Sequence, residues 1–141
     1  MAKISFRKLE YSERTWPLIQ KELTIIPEEH RVVCESGSKH FEHLCDEMQW
    51  KKLERLIKDC NFSAWADEYY SPALDGTEWN LGLHESDGQI KKSKGMNAYP
   101  DKWYAFAVLL DYCAEITGFE PETDEQQLSS LFFLNKSSEN K

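Results

Sequence analysis

The chain has 141 residues, of which 40% are hydrophobic, 30% charged and 13% aromatic, with a net charge of −8. That length buries roughly 70% of the unfolded surface in one domain, and the 18 aromatics argue against disorder. No 18-residue apolar run is present and the first residues, Met1 to Trp16, lack a signal-peptide core, so membrane-spanning, secreted and disulfide-scaffold classes are set aside.

In chain order, Ile4 to Arg7 alternates and reads as a short strand. Residues 18–26 are ambiguous between strand and helix, and their isoleucine-rich end before Pro27 tips the reading to a strand; Arg31 to Cys34 is another β-leaning run closed by a turn at Glu35 to Ser38. Asp46 with Gln49 forms a capping-box variant ahead of Trp50, Leu53, Leu56, Ile57 and Cys60, whose spacing predicts a helix over 47–60. Residues 62–72 form an aromatic-rich connection. Trp79, Leu81 and Leu83 alternate with polar residues as a half-buried strand. Ser86 to Gly88 turns it into a second arm over 89–94, whose polar face suits a sheet edge.

Pro100 opens a helix over 100–117, with Trp103, Phe106, Ala107, Leu110, Cys113 and Ala114 on one stripe and Gly118 placed as its left-handed cap. Residues 119–141 read as an acidic linker, a short last helix bearing Leu128, Leu131 and Phe132, and a frayed tail. The expected fold is therefore α+β: one domain over 1–118, with a small antiparallel sheet packed on one face by two helices, 47–60 and 100–117.

Charge is uneven. Residues 1–60 hold 11 basic and 11 acidic side chains, and residues 61–141 hold 6 and 14. Between Lys58 and Lys91 there is no basic residue, while Asp67, Glu68, Asp75, Glu78, Glu85 and Asp87 fall there. Such a field repels a phosphate backbone, so nucleic acid is not an expected ligand, whereas a basic protein partner is compatible with it. The four cysteines form no C-x-x-C and no framework, which favours free thiols in a reducing cytoplasm.

Residues Trp65 to Trp79, with Asp75-Gly76-Thr77-Glu78-Trp79 at their end, followed by Gly95-Met96-Asn97-Ala98-Tyr99-Pro100, carry a resemblance. The stretch 62–117 resembles small uncharacterised bacterial proteins in which a tryptophan-bearing strand and hairpin lead through such a loop into a helix. The resemblance implies bacterial origin and an α+β domain, and carries over no activity or functional residues.

Four constellations could bear chemistry. His30, Cys34, His40, His43 and Cys45 are five potential zinc ligands within sixteen residues, though their spacing matches no standard finger, and histidines in a loop with cysteines in the core explain them more simply. Cys34 or Cys45 beside a histidine could form a nucleophile pair. Asp67, Glu68, Asp75 and Glu78 could supply an acid/base pair, and Asn97 and Tyr99 could line an anion site at a helix start. The phosphate-loop, nucleophile-elbow and H-E-x-x-H motifs are absent. No cofactor is expected. Trp16, Trp65, Tyr69, Tyr70 and Tyr104 exceed the burial needs of a small sheet, and aromatics are enriched at interface cores. The expected function is a non-enzymatic protein-interaction domain using an acidic, aromatic-bearing surface at Trp65, Asp67, Glu68, Tyr69, Tyr70, Asn97 and Tyr99. Homo-oligomerisation is compatible with this reading, and a metal site or unmarked enzyme is its alternative.

Overall fold

The computed structural model describes residues 6–15, 19–72 and 76–120. Four antiparallel strands come first: β1 (Phe6–Thr15), β2 (Ile19–Ile26), β3 (Arg31–Ser36) and β4 (Lys39–Leu44). Helix α1 (Glu47–Cys60) follows, then β5 (Glu68–Tyr70), β6 (Thr77–Glu85), β7 (Ile90–Met96) and helix α2 (Trp103–Thr117). The strands form one sheet of seven in the order β4-β3-β2-β1-β6-β7-β5. Every pairing is antiparallel except β5 on β7.

The α+β class and both helices stand as the sequence implies, but the sheet is large and mixed rather than small and antiparallel. β1 runs well past Arg7 because a register shift between Phe6 and Lys8 interrupts the two-residue alternation that would have marked it. β4 is hidden by composition: His40, Glu42 and Leu44 face solvent, and the partly inward positions are Lys39, Phe41 and His43, one of them apolar. β7 is not an edge strand, since β5 pairs outside it at Lys94, Gly95 and Met96. The short last helix expected after residue 120 lies outside the described residues.

Register fixes the faces. Leu9 sits opposite Ile25 and Leu83, and Tyr11 opposite Leu23 and Leu81, so these side chains share one face with Val32, Cys34 and Trp79. That face carries the helices. α1 opens on a full capping box, with the Asp46 carboxylate accepting from the Gln49 N–H at 2.8 Å and the Gln49 side chain accepting from the Asp46 N–H at 3.0 Å. It turns Trp50, Leu53, Leu56, Ile57 and Cys60 into the core. α2 crosses the sheet from β6 to β4: the Trp103 ring centroid lies 4.9 Å from that of Trp79 at one end, and Phe119 lies 5.6 Å from Phe41 at the other.

α2 begins at Trp103, three residues after the expected start at Pro100, with the Trp103 N–H donating to the carbonyl of the buried Pro100. Its fully buried side chains are Phe106, Leu109 and Cys113. Trp103, Ala107, Leu110 and Ala114, expected on the buried stripe, are half-buried along its flank.

Candidate functional site

The face of the sheet opposite the helices is left uncovered by the described residues and holds a concavity of about 830 Å³. Its floor is small and polar. Ser12 of β1 stands between Glu22 of β2 and Asn80 of β6, and Glu10 between Thr24 and Gly82, so Ser12, Thr24 and Asn80 line one face together with a glycine that contributes no bulk. Its walls are charged: Glu10, Glu22, Asp67 and Glu68 against Lys92 and Lys94. Lys94 is paired with Glu68 at 3.4 Å. Glu22 accepts from the Gln20 amide at 2.9 Å. Glu10 is bonded to His84 and lies 3.5 Å from Lys8. Partial burial pushes the Glu10 carboxyl up, but the His84 hydrogen bond and the Lys8 charge outweigh it and hold the group below its ordinary value.

Beside the concavity, β3 and β4 display a cross-strand ion network. Arg31 bridges Glu29 and Glu42, which raises the guanidinium and holds Glu42 low. His40 bonds Glu35 at 3.2 Å and lies 3.6 Å from Glu42, and its imidazole is raised chiefly by the Glu35 bond.

The residues proposed from sequence divide sharply. Asp67 and Glu68 line the concavity, and Tyr70 stands 71% exposed at its margin, paired in register with Met96. Trp65 is instead buried among Phe62, Trp79, Trp103 and Phe106, its indole N–H donating to the Cys60 carbonyl at 2.9 Å. Tyr69 packs its ring 5.9 Å from Trp79, and its hydroxyl accepts the Ala66 N–H. Trp65 and, in part, Tyr69 thus belong to the core, whereas Tyr104, like Tyr70, stays exposed, at 82%.

Asn97 is a structural residue. It occupies a left-handed conformation (φ 57°), and its Oδ1 accepts the Thr77 N–H at 2.9 Å. It sits against Gly76, where any Cβ would lie 1.7 Å from that oxygen. One residue on, the Ala98 carbonyl accepts the Trp79 indole N–H at 3.0 Å, and Gly95 leaves room for that ring. Tyr99 rests its ring 4.7 Å from Trp103. The Gly76–Trp79 and Gly95–Pro100 segments thus clasp each other, and each named residue has a packing reason. Asn97 stands well ahead of α2, so it does not form an anion site at that helix start.

The five candidate zinc ligands do not converge. His40 is on the uncovered face, whereas Cys34, paired in register with Phe41, and His43, paired with Val32, are on the helix side. His43 bonds the Gln49 side chain at 2.8 Å, and His30 stacks on Trp50 at 4.6 Å. Among the described residues, no group of three His, Cys, Asp or Glu side chains is arranged to hold a metal. Cys34 and Cys45 are buried thiols, each raised chiefly by burial, which opposes the thiolate a nucleophile needs. Asp75 and Trp16 lie outside the described residues.

Sequence reasoning missed Ser12, Thr24, Asn80 and Gly82. Their signal was present as the polar half of each strand's alternation, but only the pairing of β1 with both β2 and β6 brings them together. No helix among the described residues is long and apolar enough to cross a membrane. The chain matches no family model, and no curated protein matches it.

Proposed function

We propose that the protein is a non-enzymatic interaction domain that binds a basic protein segment across the uncovered sheet face. The observation that carries this reading is the 830 Å³ concavity, with four carboxylate side chains on its walls, two lysines, and a small polar floor. A lysine- or arginine-rich segment laid across the strands would find carboxylates at Glu10, Glu22, Asp67 and Glu68, and hydrogen-bonding groups at Ser12, Thr24 and Asn80. Tyr70 and Met96 offer an apolar contact at the margin. The reading places the protein in the cytoplasm, where its four free, buried thiols would remain reduced.

The test is a two-dimensional amide NMR titration of the full chain with an arginine- and lysine-rich decapeptide, repeated at two salt concentrations. Shifts gathered on Ser12, Thr24, Asn80 and Gly82 that weaken as salt rises support the reading. Glu22→Lys with Asp67→Lys should weaken binding about tenfold or more, since rim charges of one sign are reversed. Shifts confined to other surfaces, or binding indifferent to salt and to these substitutions, would refute it.

A further inference from the structure

On the helix side of the sheet, α2 does not fill the space above the far end of β1 and β2, and a cleft of about 410 Å³ remains there. We infer that this cleft is a second, separate binding site, and that it takes a small organic amine with an apolar body.

Shape comes first. Small-molecule sites commonly enclose roughly 300–1,000 Å³ with mostly apolar walls and a few placed polar groups. Trp103, Ala107, Leu110 and Ala114 follow one another at steps of four, three and four, so they form one flank of α2 facing the cleft. The two alanines keep that flank narrow. Tyr11 and Leu23 of the sheet form the opposite wall. This explains why the expected core stripe of α2 is only half-buried.

Charge selects the ligand. Glu13, Glu22 and Asp111 line the cleft with one lysine, Lys21, and Glu22 also lines the concavity. Glu13 accepts a 3.3 Å hydrogen bond from the Tyr11 hydroxyl, and Glu22 accepts one from Gln20. Among the described residues none of these carboxylates is in an ion pair, and Lys21, although directly across from Glu13 in the β1–β2 register, is not bridged to it. Three carboxylates against one ammonium favour a cation. The rings agree: Tyr99 and Trp103 lie with centroids 4.7 Å apart and Tyr11 lies 6.1 Å from Trp103, so an ammonium entering between carboxylates and ring faces gains both kinds of attraction. An apolar tail then lies along Ala107, Leu110 and Ala114. The volume suits one small molecule rather than a folded partner.

The experiment is an amide and indole NMR titration of the full chain with three probes of one shape: phenethylamine, 2-phenylethanol and 3-phenylpropionate. Phenethylamine should shift the Trp103 indole and the Ala107 and Leu110 amides, with the alcohol weaker and the carboxylate silent. Asp111→Asn and Glu13→Gln should each weaken the amine about fivefold, as for one partly exposed charge pair. Ala107→Leu should abolish binding by filling the cleft. Because Asp111 is exposed and glutamine at position 13 keeps a carbonyl oxygen for the Tyr11 hydroxyl, those two variants keep the test decisive even where Ala107→Leu unfolds the chain. Equal binding of all three probes, amine binding unchanged in both charge variants, or shifts confined to Ser12, Thr24 and Asn80 on the other face would overturn the inference.

Discussion

Replacing Gly95 with alanine should cripple the fold, and the size of the effect can be worked out. A Cβ at residue 95 would lie 2.2 Å from Nε1 and 2.4 Å from Cε2 of Trp79, and 2.6 Å from the Ala98 carbonyl oxygen. Carbon contacts need roughly 3.5 Å, so the indole must retreat by about 1 Å. It has nowhere to go: Trp79 is fully buried, with Trp103, Trp65 and Tyr69 packed around it at centroid distances of 4.9, 5.7 and 5.9 Å. Overpacking of this kind costs about 1–3 kcal/mol. Retreat also breaks the 3.0 Å bond from the indole N–H to Ala98, and a buried donor left unmade adds about 1–3 kcal/mol. A combined loss of about 3 kcal/mol corresponds to a fall in Tm on the order of 10 °C for a domain this size. Thermal unfolding followed by circular dichroism, with near-ultraviolet spectra to report tryptophan packing, measures it. Gly88→Ala is the control, since nothing lies within 4 Å of that position and only the positive φ opposes a side chain. A Gly95→Ala protein that melts with wild type would show that the clasp around Trp79 does not hold the sheet to α2.

Phe106→Ala removes the ring shared by Tyr11, Phe62, Trp65 and Trp103, and denaturant unfolding should show a loss of about 3–5 kcal/mol. Asp46→Ala deletes one half of the capping box and should cost about 1 kcal/mol in the same assay. The four thiols should be silent to a thiol reagent near neutral pH until the chain unfolds, because all are buried and burial pushes Cys60 up to about 12 and Cys113 well above its ordinary value. Early labelling would contradict their burial. His40, raised by Glu35, should titrate by NMR above the ordinary value of about 6.5. Because the folded value is the higher one, any stabilisation it gives is complete below that ordinary value and disappears as pH climbs through the folded one. Glu35→Gln should bring the titration back down, and an unmoved midpoint would mean that Glu35 is not the cause.

Local patterns made the helices readable and non-local pairing kept the sheet obscure. α1 was legible because Asp46, Gln49 and five apolar residues at three- and four-residue steps all lie within one short segment. The β6–β7 hairpin was legible for the same reason. β4 was not: its exposure alternates strictly, but the inward positions are Lys39, Phe41 and His43, so no apolar period marks it. Along α2 the apolar residues outnumber one face, so periodicity alone does not separate the buried Leu109 from the half-buried flank of Trp103, Ala107, Leu110 and Ala114. Of the candidate surface, Asp67 and Glu68 stood out because no basic residue lies between Lys58 and Lys91. The floor could not stand out, since Ser12 and Asn80 become neighbours only when β1 pairs with a strand from the other half of the chain.

That pairing also dictates when the sheet can close. β1 lies at the centre, flanked by β2, which follows it at once, and by β6, which ends at Glu85. During synthesis, β1 to β4 can zip as a meander from neighbouring contacts, but the β1 edge that will receive Leu81 and Leu83 stays vacant until β6 emerges. At roughly 5–20 residues per second, the intervening stretch takes several seconds to make. Throughout that time the nascent chain presents an unpaired strand edge beside Leu9 and Tyr11, a template for any other strand in reach. The union of β1 with β6 is therefore the high-contact-order step that should set the refolding rate. The newly made protein is accordingly most exposed to mispairing just before its second half arrives.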